Sequence, residues 1–270
     1  MSARLRIEAG DVGLEIDAEA GGRLSRLHIG PYDLLVGPSS DPITWGCYPM
    51  VPWAGRIGRA RFDWNGETFD LEATLPPHAI HGTTHRRRWD VVDATTIRTE
   101  LGSGWPFAGE AVQRFSLTAD EMTVDLELRS LDRPFPATIG WHPWFRRTVG
   151  GAPATVRFDA DWMYERGPDH LPTGQLTTPR PGPWDDAFTG VRWPVTIEWA
   201  DTLHLRMESD LDHLVVYDET LDAVCVEPQS GPPDAIAHDL AATVAPDRPL
   251  TARMTWAWTV PDTRPTRASG

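Results

Sequence analysis

Three short segments of the sequence place ionisable side chains among aromatic residues and turn formers. They span residues 76–82 (PPHAIHG), 139–145 (IGWHPWF) and 224–229 (VCVEPQ). A carboxylate from the third segment and an imidazole from the second could take and give a proton at neutral pH, which is what general acid–base catalysis requires. The segments lie far apart along the chain, so this chemistry depends on a fold that brings them together.

Glu227 is the candidate base. It follows an apolar run at residues 224–226 and precedes Pro228, which we expect to end a strand. A carboxylate at the end of an apolar strand is partly removed from water, which raises its pKa and makes it a stronger base. The alternative is an ordinary exposed glutamate at a strand end, and this position alone does not decide between the two.

His142 is the candidate acid. It lies between Trp141 and Pro143, with Trp144 next along the chain. An unperturbed imidazole has a pKa of about 6.5, so it can donate a proton at neutral pH. The alternative is a core histidine that hydrogen-bonds to the backbone, which is the commoner role for a single histidine in such a setting.

A metal site is a third hypothesis, because His78, His81 and His85 have the spacing of ligands on one helix face. The prolines and the glycine of residues 76–82 disfavour a helix there. In a strand, side chains three residues apart point to opposite faces, and the sequence nearby lacks the acidic ligands of a hydrolytic zinc site. We therefore expect no metal.

The charge balance excludes several classes of function. The chain has 270 residues, with 39 acidic and 25 basic side chains and a formal net charge of −14. Nucleic-acid binding relies largely on cationic surface, so we expect no nucleic-acid partner. All 25 basic residues are arginine. Without lysine, the chain can form neither a Schiff base nor the lysine-containing phosphate loop of nucleotide-binding proteins, and we expect no cofactor.

Cysteine usage and hydropathy predict a cytoplasmic protein. Two distant cysteines, Cys47 and Cys225, make no disulfide framework, which favours a reducing compartment. Residues 1–21 lack the apolar core of a signal peptide. No apolar run approaches the roughly 20 residues that a membrane span needs, so we expect no membrane partner.

The elements that must position these side chains are predicted to be strands. Apolar and polar residues alternate at 60–64 and 68–71, on either side of Asn65-Gly66, a strong hairpin signal because both residues tolerate positive φ. No long stretch shows a helical stripe, and 25 prolines and 23 glycines punctuate the alternating runs. We predict an all-β fold, a large antiparallel sandwich.

The domain organisation is predicted to be simple. Residues 1–262 are expected to form a single domain, followed by a flexible tail at residues 263–270. Residues 168–183 are rich in proline, glycine and threonine, and we expect them to form a long loop over the site.

Five segments, taken together and in order, resemble the aldose 1-epimerase (galactose mutarotase) family. They are residues 55–62 with the hairpin at 64–71, residues 80–82, residues 141–145, residues 184–188, and residues 224–229 with 233–235. The resemblance implies a β-supersandwich of the galactose mutarotase-like type, no cofactor, and a sugar pocket on the face of one sheet. The implied activity is interconversion of the α and β anomers of a free aldose.

The resemblance also implies a role for particular side chains. Glu227 would be the base and His142 the acid in ring opening and closure. The sugar would be held by Arg56, His81 and Asp185, with Trp144 offering an aromatic face. Asp186 is the alternative to Asp185, because the two are adjacent and the sequence does not choose between them.

Two positions depart from the family pattern and leave the sugar open. The family has asparagine where this chain has Gly55 and Trp141. Losing two amide groups would remove hydrogen bonds to sugar hydroxyls, so a hexose phosphate is an alternative substrate. A non-catalytic sugar-binding protein, and a glycosidase that pairs Asp185 with Glu227, are further hypotheses. We expect a monosaccharide as the small-molecule partner and a monomer or homodimer.

Overall fold

The computed structural model describes residues 4–261, and their regular secondary structure is almost entirely strands. The first strands are β1 (Arg4–Ala9), β2 (Val12–Asp17), β3 (Arg23–Ile29), β4 (Tyr32–Asp33), β5 (Cys47–Met50), β6 (Arg56–Ile57), β7 (Arg61–Trp64), β8 (Glu67–Asp70), β9 (Ala79–Ile80), β10 (Asp90–Val91), β11 (Thr96–Glu100) and β12 (Gly109–Leu117). They are followed by β13 (Glu121–Ser130), β14 (Phe135–Ala137), β15 (Gly140–Arg146), β16 (Thr148–Val149), β17 (Ala152–Pro153), β18 (Thr155–Arg166), β19 (Pro172–Thr177), β20 (Asp185–Trp199), β21 (Leu203–Ser209), β22 (His213–Tyr217), β23 (Ala223–Gln229), β24 (Ala242–Val244) and β25 (Leu250–Thr259). Short 3₁₀ turns occur at Gly58–Ala60 and Thr84–Arg86.

One large antiparallel sheet dominates the architecture. Seventeen of the described strands belong to it, and four small two-stranded sheets, including the hairpin β7–β8, lie beside it. The predicted all-β antiparallel fold is therefore confirmed. Within the described residues, no helix has the length and hydropathy that crossing a membrane requires.

The predicted hairpin forms where the sequence placed it. Strands β7 and β8 pair antiparallel from Arg61 opposite Asp70 to Trp64 opposite Glu67. Asn65 and Gly66 have φ of 50° and 80°, the positive values that a tight two-residue turn needs.

Five adjacent strands, in the order β5, β15, β23, β22 and β20, carry the residues of interest. His142 lies opposite Tyr48 on one side. On the other side, Gly140 pairs with Gln229 and Trp144 with Cys225, so His142 lies across from Glu227. Residues opposite one another share a face of the sheet. The pairing register therefore puts the imidazole of His142 and the carboxyl of Glu227 on the same face.

The opposite face of these strands belongs to the hydrophobic core. Trp141, Phe145, Val224 and Val226 alternate with the residues above and are fully buried in the main apolar cluster. The Trp141 indole donates a hydrogen bond to Gln113 at 3.2 Å. The expectation that Trp141 replaces a sugar-binding amide is thus wrong for this position, because the period of two in a strand turns its side chain away from the site.

Two local expectations differ from the structure. Pro228 does not end its strand, because pairing continues past the proline to Gln229, which lies opposite His213. Residues 168–183 are not one long loop, since β19 forms within them and pairs with β18. The predicted tail at residues 263–270 lies outside the described residues, and the single domain stays a prediction.

We expect Trp141→Phe to reduce stability. The smaller ring fills most of the site but leaves the buried oxygen of Gln113 without its donor, which costs about 1–3 kcal/mol in free energy of unfolding. Chemical denaturation measures the change. Trp162→Phe is the matched control, because Trp162 is 48% exposed, and it should unfold like the wild type. Equal stability of the Trp141 and Trp162 variants would contradict a structural role for the indole.

Candidate active site

A cavity of about 390 Å³ opens on the face of the sheet that carries His142 and Glu227. Its size is typical of pockets that bind small molecules. The structure brings every residue that the sequence predicted for the site to the cavity wall: Arg56, His81, His142, Trp144, Asp185, Asp186 and Glu227.

At the cavity wall, the side chains of His142 and Glu227 contact each other directly. Nε2 of His142 lies 3.2 Å from Oε1 of Glu227. Both residues are buried, with 5% and 2% of their surface exposed. The imidazole stacks on Trp144, with centroids 5.2 Å apart, and on Tyr48, at 5.0 Å. These rings fix the plane of the imidazole.

Burial moves the pKa values of the two groups in opposite directions. It raises the pKa of Glu227 well above its ordinary value, and the negative charge of Asp185 adds to the effect. Burial lowers the pKa of His142 to about 3. Burial therefore favours the form in which both groups are neutral, with the carboxyl of Glu227 placed to donate to Nε2 of His142 across the 3.2 Å contact.

Two neighbours oppose the rise in the pKa of Glu227. Gln229 donates a hydrogen bond from Nε2 to Oε2 of Glu227 at 3.1 Å, and the Arg56 guanidinium contributes its positive charge. Both favour the carboxylate form, which is the form that acts as a base. Oε1 of Gln229 is buried without a hydrogen-bond partner among the described residues.

His81 has an unusual backbone conformation, with φ of 61°. Its N–H donates to the carbonyl oxygen of Gly55 at 2.8 Å, and its own carbonyl oxygen contacts Nδ1 of His85 at 3.0 Å. Because Arg86 donates to Nε2 of His85, the His85 proton must be on Nδ1. These bonds hold the His81 ring perpendicular to that of His142, with centroids 4.8 Å apart. A non-glycine residue in this region of φ is a common feature of functional sites.

Asp185 and Asp186 both reach the cavity but differ in their partners. Arg166 donates to Oδ2 of Asp185 at 2.7 Å, and the His170 ring lies 3.3 Å from the same oxygen. Asp186 accepts from Arg180 at 2.7 Å. The side chain of Asp185 is 17% exposed and that of Asp186 only 2%. Asp185 is therefore the more accessible of the two carboxylates.

Arg56 lies at the wall on β6, beside the glycine that departs from the family pattern. Its guanidinium contacts the carbonyl oxygen of His170 at 3.5 Å. Gly55 has φ of 65°, and a Cβ there would lie only 2.8 Å from the ring of Pro233. Glycine is thus required by the close approach of Pro233, which leaves no space for an amide side chain.

The histidine triplet considered for metal binding is not a ligand set. Nδ1 of His78 accepts a hydrogen bond from the backbone N–H of Arg59, and both ring nitrogens of His85 already have partners. Within residues 4–261, the group whose ligand atoms come close enough to hold a metal is a different one: His142, Cys225 and Glu227.

Several residues of the site had no role in the sequence analysis: Tyr164, Arg166, His170 and Tyr217 line the wall, and the buried Tyr48 stacks on the imidazole of His142. Gln229 lies in the same short segment as Glu227 but has no role in the sequence analysis. Its position two residues after Glu227 on the same strand is a signal that could have found it, because residues i and i+2 share a face. Nothing local to the sequence marks Arg166 or Tyr48, which reach the site through strand pairing.

Comparison with known proteins agrees with the geometry. A family model described as aldose 1-epimerase matches residues 18–256. The uncharacterized protein YphB of Escherichia coli K12 is 33% identical over 106 residues, which is 37% of this chain and only 36% of YphB.

Solved structures show the same fold at low identity. An aldose 1-epimerase candidate from Escherichia coli K12 superposes with a TM-score of 0.83 at 21% identity, over 95% of this chain and 99% of the other. The GalM/aldose epimerase homologue of C. elegans gives 0.82 at 15% identity, over 97% and 100%. A galactose mutarotase-like protein of Clostridium acetobutylicum gives 0.81 at 16%, over 94% of each. The predicted galactose mutarotase-like supersandwich is confirmed.

We expect Gln229→Met to raise the pKa of Glu227 further. Methionine keeps the approximate shape but removes the donor that stabilises the carboxylate, so Glu227 should stay protonated to higher pH. The carbonyl stretch of the protonated carboxyl, followed by difference infrared spectroscopy and identified with Glu227→Gln, reports this titration. Gln175→Met, at an exposed position, is the matched control. A titration unchanged by Gln229→Met would show that the 3.1 Å contact does not tune Glu227.

Proposed function

Because the chain belongs to the aldose 1-epimerase family, we propose that it interconverts the α and β anomers of a free aldose by acid–base ring opening and closure. The observation that carries this proposal is the buried contact of 3.2 Å between His142 and Glu227 in the wall of the cavity. An imidazole and a carboxyl that share one proton supply one acid and one base, and each such group typically contributes about 10²–10⁴-fold to the rate.

The proposed cycle uses both forms of the pair. A proton shift from Glu227 to His142 gives a carboxylate and an imidazolium. The carboxylate then takes the proton of the C1 hydroxyl while the imidazolium protonates the ring oxygen, and the C1–ring oxygen bond breaks. The open chain leaves Glu227 protonated and His142 neutral, the distribution that burial favours. After rotation about C1–C2, the reverse transfers close the ring on the other face of the aldehyde.

Sugar binding is assigned to four residues of the wall. Asp185 would accept hydrogen bonds from hydroxyls, while Arg56 and His81 would donate them and hold the open chain in place. The indole of Trp144, stacked on the imidazole of His142, offers an aromatic face next to the reacting atoms. Oriented in this way, C1 and the ring oxygen would both meet the acid–base pair.

The charges of the wall support an uncharged sugar over a hexose phosphate. Arg166 is already engaged by Asp185 and lies 3.6 Å from Asp186. Among the described residues, no carboxylate oxygen lies within 4.0 Å of the guanidinium of Arg56, which leaves it to contact hydroxyls. A phosphate would meet a single unpaired arginine in the described part of the wall and would lie beside the carboxylates of Asp185 and Asp186, whose negative charge opposes it.

A polarimetric screen tests the function directly. Free aldoses, each started as a pure anomer, should reach equilibrium faster with the protein, and hexose 6-phosphates run in parallel test the charged alternative. An aryl glycoside should remain intact, because release of its alcohol would identify a glycosidase instead. Sugar affinity without any acceleration would identify a binding protein.

We expect Glu227→Gln and His142→Asn each to slow anomerisation by at least about 10²-fold while the protein stays folded. Amides keep the approximate shape and hydrogen bonding of the two groups but cannot exchange the proton. Polarimetry gives the rate, and thermal unfolding monitors the fold. Glu208→Gln and His204→Asn, at exposed positions on β21, are the matched controls and should retain the wild-type rate.

The double variant sharpens this test. Groups that act in one concerted exchange are strongly non-additive, so Glu227→Gln/His142→Asn should be little slower than the poorer single variant. If the single variants are unstable and the surviving folded protein keeps its rate, the two residues are structural and the assignment is wrong.

We expect Arg56→Ala to raise KM more than it lowers kcat. An arginine that contacts hydroxyls throughout the reaction binds the ground state and the transition state alike, so its loss mainly weakens capture of the sugar. Initial rates over a range of sugar concentrations separate the two constants, with the exposed Arg98→Ala as the control. A fall in kcat at constant KM would instead mean that Arg56 acts only in the transition state.

A further inference from the structure

Cys225 lies beside the acid–base pair and takes no part in the proposed reaction. It occupies β23 two residues before Glu227, so both side chains are on the same face. One ligand atom from each of His142, Cys225 and Glu227 lies within 4.8 Å of the other two. All three residues are buried, and Cys225 is a free thiol. The cluster thus combines a nitrogen, a sulfur and an oxygen ligand, a donor set that zinc accepts.

The geometry is close to that of a tetrahedral zinc site. With metal–ligand bonds of about 2.0–2.3 Å, the ligand atoms of such a site lie roughly 3.3–3.8 Å apart. The separation of Nε2 of His142 and Oε1 of Glu227, 3.2 Å, is already near that range. A pair at the 4.8 Å limit has to close by about 1 Å when a metal binds.

His142 and Glu227 both line the cavity, so the cluster is accessible to a ligand from one side. Catalytic zinc sites have three protein ligands and leave the fourth position to water or substrate. Here that fourth position would face the cavity, which His142 and Glu227 line.

We propose that His142, Cys225 and Glu227 form an inhibitory site for Zn²⁺ or another thiophilic divalent cation. On binding, the thiol of Cys225 and the carboxyl of Glu227 each release a proton to solvent, and the two negative charges neutralise the cation. A neutral complex is far less costly to bury than an isolated charge. The bound metal occupies the imidazole lone pair and the carboxylate that proton transfer needs, so the loaded protein is inactive. The inhibition rests on the proposed function, whereas the binding does not.

Cobalt provides a readout of the site that is independent of activity. Chelator-treated full-length protein is titrated with Co²⁺, and the thiolate-to-cobalt charge-transfer absorption is recorded, followed by competition with Zn²⁺. We expect about one Co²⁺ per chain with a thiolate band that Zn²⁺ removes. In parallel polarimetry, Zn²⁺ should abolish anomerisation and a chelator should restore it.

Two cysteine variants identify the ligand. Cys225→Ala should lose the band and retain its activity in Zn²⁺, and Cys225→Ser, which keeps the volume, should lose the band as well. Cys47→Ala is the matched control: the other free cysteine is also buried but pairs with Pro143 on the core side of β15, so the band and the inhibition should both remain. Circular dichroism verifies that each variant is folded.

The outcomes separate the metal site from the function. No thiolate band in the wild type, or a band that survives in both Cys225 variants, overturns the site. Inhibition by Zn²⁺ that persists in Cys225→Ala places the inhibitory metal elsewhere. Activation of the chelator-treated protein by a divalent ion overturns both the inhibitory role and the cofactor-free mechanism. If no sugar is anomerised, the proposed function fails, yet the cobalt band still tests the cluster.

Discussion

The contact between His142 and Glu227 depends on the register of two adjacent antiparallel strands. A slip of one residue between β15 and β23 would turn one of these polar groups into the apolar core and bring a core residue such as Val226 to the cavity. Burying either group in the core without a hydrogen-bond partner would cost several kcal/mol in folding free energy. The alternation of apolar and polar residues along β15 and β23 therefore selects the register, and the register creates the site.

The same burial that stabilises the sheet sets the electrostatics of the cavity. Removing both groups from water disfavours the charged form of each, so the pKa of the carboxyl rises while that of the imidazole falls. Burial thus favours a neutral pair over a fixed ion pair. Gln229 and Arg56 offset part of the rise in the pKa of Glu227, and the aromatic rings around His142 fix the plane of its imidazole. The reactivity of the site is thus a balance between desolvation and a few directed contacts.

Features that follow from a local periodic pattern could be predicted from the sequence. Features that depend on pairing between distant strands could be predicted much less well. Alternation predicted the hairpin at Asn65-Gly66, and ordered segments led to residues that the structure gathers around one cavity. Trp141 was assigned to the site because it is adjacent to His142 in the sequence. The period of two in a strand instead places the two side chains on opposite faces, with Trp141 in the core. Arg166 was missed because its contact with Asp185 follows from the pairing of β18 with β20, which no local pattern reveals.

The position of β15 between β5 and β23 has a consequence for how the protein is made. Strand β5 ends at Met50 and β23 begins at Ala223, so the strand that carries His142 pairs with two segments that are far apart along the chain. Contacts of such long sequence separation form late, because loop-closure entropy must be overcome before pairing stabilises them. During synthesis on the ribosome the cavity stays incomplete until residues 223–229 have emerged. A nascent chain that ends before residue 223 lacks Glu227 and the strand that pairs with His142, so it cannot form a working site.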